Sequence, residues 1–171
     1  MNERDSNSRV SVYHRILDRA RKTVEDAEEQ SLEGLKYEIE KATEFEADVE
    51  ELARNEVDLI AAYVKRDLGH IYHFMAETGQ GIADWLHFDV QLLEDRTWQW
   101  LSTVADKTTV ELASLQQQFE IESALYSVNE VAGPGLLICQ QCGHRHYIHH
   151  TDVVKACTEC GFDQFRRPQK D

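Results

Sequence analysis

Apolar residues recur at steps of three and four through most of the first 120 positions, which predicts helices. The first series is Tyr13, Ile16, Leu17, Ala20, Val24 and Ala27, the stripe of one helix face. Gln30-Ser31-Leu32-Glu33-Gly34 interrupts it as a turn. A second series runs Leu32, Leu35, Ile39, Ala42, Phe45 or Glu46, Val49, Leu52, Glu56, Leu59 and Tyr63. Its alternating steps form a heptad-like seam. The seam is imperfect, because Glu56 lies on it and Thr43-x-x-Glu46 reads as a capping box that could open a new helix. It continues through Ile60, Val64, Leu68, Ile71 and Met75 to Thr78-Gly79-Gln80-Gly81. Two glycines so close together, each costing ~1 kcal/mol inside a helix, predict a break there.

A third run holds Ile82, Trp85, Leu86, Val90, Leu93, Trp98, Leu101 and Val104. All three tryptophans (Trp85, Trp98, Trp100) fall in it, so it is expected to form one helical segment and the best-packed part of the core. Thr108-x-x-Glu111 then opens a last helix with Leu112, Leu115 and Phe119. The expectation is four or five amphipathic helices packed antiparallel, with an extended two-chain coiled coil as the competing arrangement.

After Phe119 the period changes. Leu125 to Val131 reads as a strand, Gly133-Pro134-Gly135 as a turn, and Leu136-Leu137-Ile138 as a strand entering Cys139. Further short strands are expected at His144 to His149, Val153 to Ala156 and Phe162 to Arg166. Both prolines, Pro134 and Pro168, lie in this C-terminal part. The predicted organisation is a helical bundle over residues 1–121 and a small β unit over 122–171.

The cysteines explain how so small a unit would fold. Cys139-Gln140-Gln141-Cys142-Gly143 and Cys157-Thr158-Glu159-Cys160-Gly161 contain all four cysteines of the chain. Each Cys-x-x-Cys turn brings two sulfurs to one side, and two such pairs can offer four thiolates to one ion. The glycine after each pair permits a positive φ, which turns backbone N–H groups toward the sulfurs. A structural Zn2+ on Cys139, Cys142, Cys157 and Cys160 is the favoured reading. Iron is the alternative, because a tetrahedron of sulfurs suits it as well. Disulfides would need an oxidising compartment, and Met1 to Arg9 has no apolar core for a secretory signal. No stretch approaches the ~20 apolar residues of a membrane span, so a cytoplasmic protein is expected. The segment after Ala132 is 39 residues long, around the size that needs a metal, disulfides or a partner to fold.

Charge divides the chain as the periodicity does. Residues 1–132 hold 13 of the 18 basic and 28 of the 32 acidic residues, a net charge of −15, whereas residues 133–171 carry +1. The acidic helices oppose wrapping by nucleic acid, whose affinity comes mainly from Lys and Arg. They read as a solvated face or a docking surface for a basic partner. Arg145, Lys155, Arg166 and Arg167 could contact phosphate or a partner, beside Tyr147, Phe162 and Phe165 as stacking platforms.

Catalytic motifs are wanting. There is no Glu-x-x-His for a di-iron bundle, no phosphate loop and no Gly-x-Ser-x-Gly. His70 and His73 could share a ligand at i, i+3 but read better as helix residues. His144 and His146, with His149 and His150 nearby, could hold a second metal but read better as a polar face. No enzyme is expected.

These residues resemble the YbeL-like family of uncharacterised bacterial proteins. The resemblance rests on Trp98-Gln99-x-Leu101 leading to Asp106-Lys107-Thr108, on Gly135-Leu136-x-x-Cys139-x-x-Cys142, on Cys157-x-x-Cys160-Gly161, and on Phe162-Asp163-Gln164-Phe165-Arg166-Arg167-Pro168. It implies a helical N-terminal region, a C-terminal zinc ribbon with those four cysteine ligands, and a cytoplasmic location. It implies no activity or partner. The function expected is a non-catalytic protein–protein interaction or adaptor module, with a nucleic-acid-binding or transcription accessory factor as the alternative.

Overall fold

The computed structural model describes residues 3–26, 34–49, 52–93, 95–105 and 125–168. Within them lie helices α1 (Glu3–Asp26), α2 (Leu35–Val49), α3 (Arg54–Thr78), α4 (Ile82–Leu86) and α5 (Arg96–Ala105). Strands β1 (Leu125–Ser127), β2 (Val131–Ala132), β3 (Gly135–Cys139), β4 (Arg145–Ile148), β5 (Asp152–Val153) and β6 (Gln164–Arg166) follow. The architecture is a helical region followed by a small β ribbon. The expected turn over Gln30–Glu33 and the last helix from Thr108 lie outside the described residues.

The first series of apolar residues is the inner face of α1: Tyr13, Ile16, Leu17, Ala20 and Val24 are all buried. On α2 the inner face is Leu35, Ile39 and Ala42. Arg15 and Arg19 of α1 reach Glu46 near the end of α2, and Lys65 of α3 reaches Glu40 of α2. Joined by short connections, helices in contact at these positions run antiparallel.

Three expectations about the helices are corrected. Thr43 does not open a helix: its hydroxyl donates to the Ile39 carbonyl one turn back at 2.7 Å, inside an unbroken α2. The seam does not run on through Glu56 and Leu59. The chain breaks before Arg54, so the helical phase resets, and Val57, Ile60, Ala61 and Val64 face inward while Leu59 is 43% exposed. The tryptophan segment is not one helix either. His87, at φ 60°, ends α4, and the Asp89 side chain accepts from the Gln91 N–H to cap a single 3-10 turn at Val90–Leu92. Asp95 caps α5 through the Thr97 N–H at 2.8 Å. Trp85 and Trp98 nevertheless reach the core, whereas Trp100 is only partly covered. The break at Gly79 is as expected: with φ 68° it caps α3 and donates to the Met75 carbonyl at 2.9 Å.

In the C-terminal part, β1, β6, β3 and β4 form an antiparallel four-stranded sheet in that order, and β2 pairs with β5. The expected strand from Leu125 to Val131 is divided into β1 and β2 by a turn with Asn129 at φ 76°. The division lets the two halves serve different cores. Tyr126, Leu137, Cys139, Val154, Cys157 and Phe165 form the ribbon's own cluster. Val131 and Val153, from the small β2–β5 pair, belong to the helical core.

The junction is tight. A Cβ on Gly133 would lie 2.3 Å from Trp98, and one on Gly135, at φ 128°, would lie 2.7 Å from Arg167 and 2.9 Å from Trp85. Only glycine lets this backbone approach the two tryptophans.

Candidate metal centre

Two knuckles of the same design build the centre. In the first, Gly143 at φ 73° donates its N–H to the Cys139 carbonyl at 3.0 Å, and the Cys139 N–H donates to the His144 carbonyl at 2.9 Å. In the second, Gly161 at φ 75° donates to the Cys157 carbonyl at 2.8 Å, and the Cys157 N–H donates to the Phe162 carbonyl at 2.9 Å. The positive φ of each glycine closes the turn, as its spacing implies.

The sulfurs meet across the knuckles. Cys139 Sγ lies 3.6 Å from Cys160 Sγ, and Cys142 Sγ lies 3.6 Å from Cys157 Sγ. All four lie within 4.8 Å of one another. A tetrahedral ion with ~2.3 Å metal–sulfur bonds requires sulfurs ~3.8 Å apart, so the cluster fits such an ion with sub-ångström adjustment. Among the described residues it is the only group of three or more His, Cys, Asp or Glu side chains so placed.

The electrostatics also call for a cation. Loss of hydration opposes ionisation of Cys139, but the N–H groups of Cys142 and Gln141 and the neighbouring sulfurs outweigh it and bring its thiol down to about 7. At Cys160 the Phe162 N–H favours the thiolate, yet lost hydration and the three other sulfurs push it up to about 12. One thiolate forms readily here, and four together need a positive ion among them. His146 stands beside the cluster with Nε2 3.4 Å from Cys157 Sγ, its ring edge-on to Phe165 and to His144. His149 packs instead against Phe88.

The four basic residues proposed for phosphate or partner contact separate. Arg145 is exposed on β4. Lys155 is exposed but paired with Asp152 at 2.9 Å. Arg166 is half-buried in β6. Arg167 is a correction: it is 2% exposed, and its guanidinium donates to the Gly133 carbonyl at 2.8 Å. It is spent inside the protein and cannot face a ligand.

Arg167 belongs to a buried charge clamp between the helices and the ribbon. At its centre is Asp67 of α3, fully buried. It accepts from the Tyr13 hydroxyl at 2.7 Å, the Gly133 N–H at 2.7 Å and the Tyr126 hydroxyl at 2.6 Å. Arg167 approaches it at 3.8 Å and Arg66 at 3.9 Å. The two guanidinium groups also lie over the Tyr126 ring, at 3.8 Å for Arg66 and 4.8 Å for Arg167. Arg66 further binds Glu130 and the Val131 carbonyl. Two cations thus balance two carboxylates, although Arg66 Nε and Arg167 Nε find no hydrogen-bond acceptor among the described residues. Burial and the Asp67 charge hold the Tyr13 and Tyr126 hydroxyls well above their ordinary range. The sequence signal was an Asp on the inward face of α3, in step with Val64 and Ile71.

His70, one turn after Arg66 on α3, packs its ring on Tyr126 at 5.6 Å, and among the described residues no metal-ligating group of three or more side chains includes it or His73. Burial, then the nearby Arg167 and Arg66 charges against the opposing Asp67, lower its pKa from 6.5 to about 4. The folded protein therefore holds His70 neutral at pH values where the unfolded chain is protonated. Its contribution is complete above pH 6.5 and is lost as the pH falls toward 4. Between pH 6.5 and 5, the wild type should lose about 1.5 kcal/mol more stability than His70→Phe, which keeps the ring without the titration. Parallel urea denaturation curves at the two pH values check this, and equal losses in both proteins would refute it.

Comparison with known proteins places this architecture. Residues 22–169 match the family described as a zinc-ribbon containing domain. The chain is 31% identical over 129 residues to the protein named "Uncharacterized protein YbeL" of Escherichia coli strain K12, covering 75% of this chain and 79% of that one. The same figures hold for the proteins of that name in strains O6:H1 and O157:H7. No solved structure matches. The matched span takes in both Cys-x-x-Cys knuckles and most of the helical region, and the chain belongs to the zinc-ribbon containing family of YbeL-like proteins.

Proposed function

We propose that the protein is a non-catalytic, cytoplasmic interaction module whose ribbon, stapled by one Zn2+, receives an extended segment of a partner protein. The observation that carries this reading is the free edge of β4. That strand is the last in its sheet and pairs only with β3 among the described residues. The Cys139 N–H bond to the His144 carbonyl sets the phase of the pairing. Leu137 and His146 then exchange ladder bonds, as do Gly135 and Ile148. The intervening Arg145 and Tyr147 point their backbone N–H and C=O groups away from β3, and both side chains are exposed.

Unpaired backbone groups of this kind are a template for strand addition. A groove of about 240 Å³ between β4 and residues 152–158 has apolar walls from Leu137, Ile148, Val154 and Phe165. It suits a segment with apolar side chains at alternate positions. Nucleic acid is served less well, since Arg167 is buried, Lys155 is paired, and the whole chain carries −14.

Tyr147→Pro tests the reading, because it removes an outward N–H and no ladder bond. It should retain the metal and the fold while losing a partner captured by the wild type and then reconstituted from purified components. Equal binding by Tyr147→Pro would overturn strand addition. Salt-sensitive retention on single-stranded nucleic acid, lost in Arg145→Gln, would favour the accessory-factor reading instead.

A further inference from the structure

A side chain from outside the two knuckles touches the metal centre. His146 lies on β4, opposite Leu137 of β3, and its Nε2 is 3.4 Å from Cys157 Sγ. Two neighbouring rings hold its orientation. Phe165, buried in the ribbon's cluster, meets it edge-on at 5.1 Å, and His144 meets it edge-on at 4.7 Å. The sheet fixes its backbone and the rings fix its plane, so Nε2 is aimed at the sulfur.

The contact is not ligation. The ligand atoms that gather within 4.8 Å of one another are the four sulfurs, and His146 Nε2 is not among them. Four thiolates already complete a tetrahedral site. Cysteines bind an ion as thiolates, which keep lone pairs but have no proton. With an ion in place, Cys157 Sγ can therefore only accept. The contact is then attractive only when Nε2 carries the hydrogen, which in a neutral imidazole is the Nε2–H tautomer.

Burial gives this donor its value. Cys142 and Cys160 are exposed and can be hydrated, whereas Cys157 is 4% exposed. Cys139, the other buried sulfur, is served by the N–H groups of Gln141 and Cys142. A hydrogen bond to an ionised acceptor is among the stronger kind, and away from water it has little competition. We propose that His146 is a positioning residue of the metal centre: its Nε2–H donates to the Cys157 thiolate, holds that sulfur in ligating position and slows loss of the ion. This role rests on the four-sulfur reading of the centre. His146 serves that site instead of forming a second one with His144.

The test uses the full chain, the variants His146→Phe and His146→Gln, and two ions, Zn2+ for affinity and 113Cd2+ for spectroscopy. Phe keeps a ring to pack on Phe165 but has no donor, whereas the Gln amide nitrogen can reach a position close to that of Nε2. Chelator competition should show Zn2+ bound about tenfold more weakly by His146→Phe, with faster release and an otherwise intact ribbon spectrum. His146→Gln should recover most of the loss, which packing alone would not predict. The 113Cd resonance should move in His146→Phe and return toward its wild-type position in His146→Gln. Ring 15N shifts of the loaded wild type, read through the carbon-bound protons, should show a protonated Nε2. An unprotonated Nε2 would overturn the proposal, since it would make His146 a ligand and not a donor. So would equal affinity in wild type and His146→Phe, or equal weakening in the Phe and Gln variants. A wild type that takes up neither ion would overturn the four-sulfur centre and this role with it.

Discussion

Replacing Asp67 with alanine is expected to destabilise the protein by about 3–5 kcal/mol, the usual cost of removing one partner from a buried charge network. For a chain of this size that is roughly 10 °C in melting temperature. The magnitude follows from what the carboxylate satisfies. Tyr13, Tyr126 and Gly133 would each lose a hydrogen bond shorter than 2.8 Å. Arg66 and Arg167, 8% and 2% exposed, would be left with Glu130 as their only described neighbouring carboxylate. Asp67→Asn should be nearly as damaging, because it keeps the size but loses the charge and one acceptor oxygen. Pairing Asp67→Ala with Tyr126→Phe in a double-mutant cycle should give a coupling of about 1–2 kcal/mol. Chemical denaturation of the four proteins measures both quantities. A loss below ~1 kcal/mol for Asp67→Ala would mean that the clamp does not hold the two regions together.

The clamp also shows where sequence reading stops. The inner faces of α1 and α3 were legible because a 3.6-residue period records burial locally. The four-cysteine cluster was legible because four cysteines at two fixed spacings have few other uses. The clamp joins Asp67 to Tyr13, Tyr126, Gly133 and Arg167, 54 to 100 positions away, and nothing local marks their meeting. Arg167 is the plainest case. In Arg166-Arg167-Pro168 it looks like a solvated basic tail, yet β6 carries it under the ribbon to the Gly133 carbonyl. Glu46 is similar: composition favours Phe45 as the inward residue. The structure buries Glu46, with Arg15 and Arg19 as its partners, and leaves Phe45 46% exposed under the Arg19 guanidinium. In both places an ion pair supplied from a distant segment outweighs the local hydrophobic preference.

Removing the metal is expected to have the other large effect, and the shared core decides how far it spreads. Without a cation the four sulfurs cannot remain thiolates together, and Cys139 and Cys157 sit inside the ribbon's own cluster. Chelation, or Cys142→Ser, should therefore collapse the NMR signals of β3, β4 and β6. The inner residues of α1, α2 and α3 pack on one another, so most of the helical circular dichroism should survive. Trp85 and Trp98 should not stay silent, since Gly133, Gly135 and Arg167 of the ribbon lie directly against them. Their fluorescence should shift to the red as that cover loosens, and readdition of one equivalent of Zn2+ should reverse it in the wild type but not in Cys142→Ser. Surviving ribbon signals in the metal-free protein would sink the structural role of the metal. Ribbon collapse with unchanged tryptophan fluorescence would show instead that the junction holds without it. The combined response would mean that the metal, through Cys139 and the strand that begins at Gly135, holds the seat against which the helical tryptophans pack.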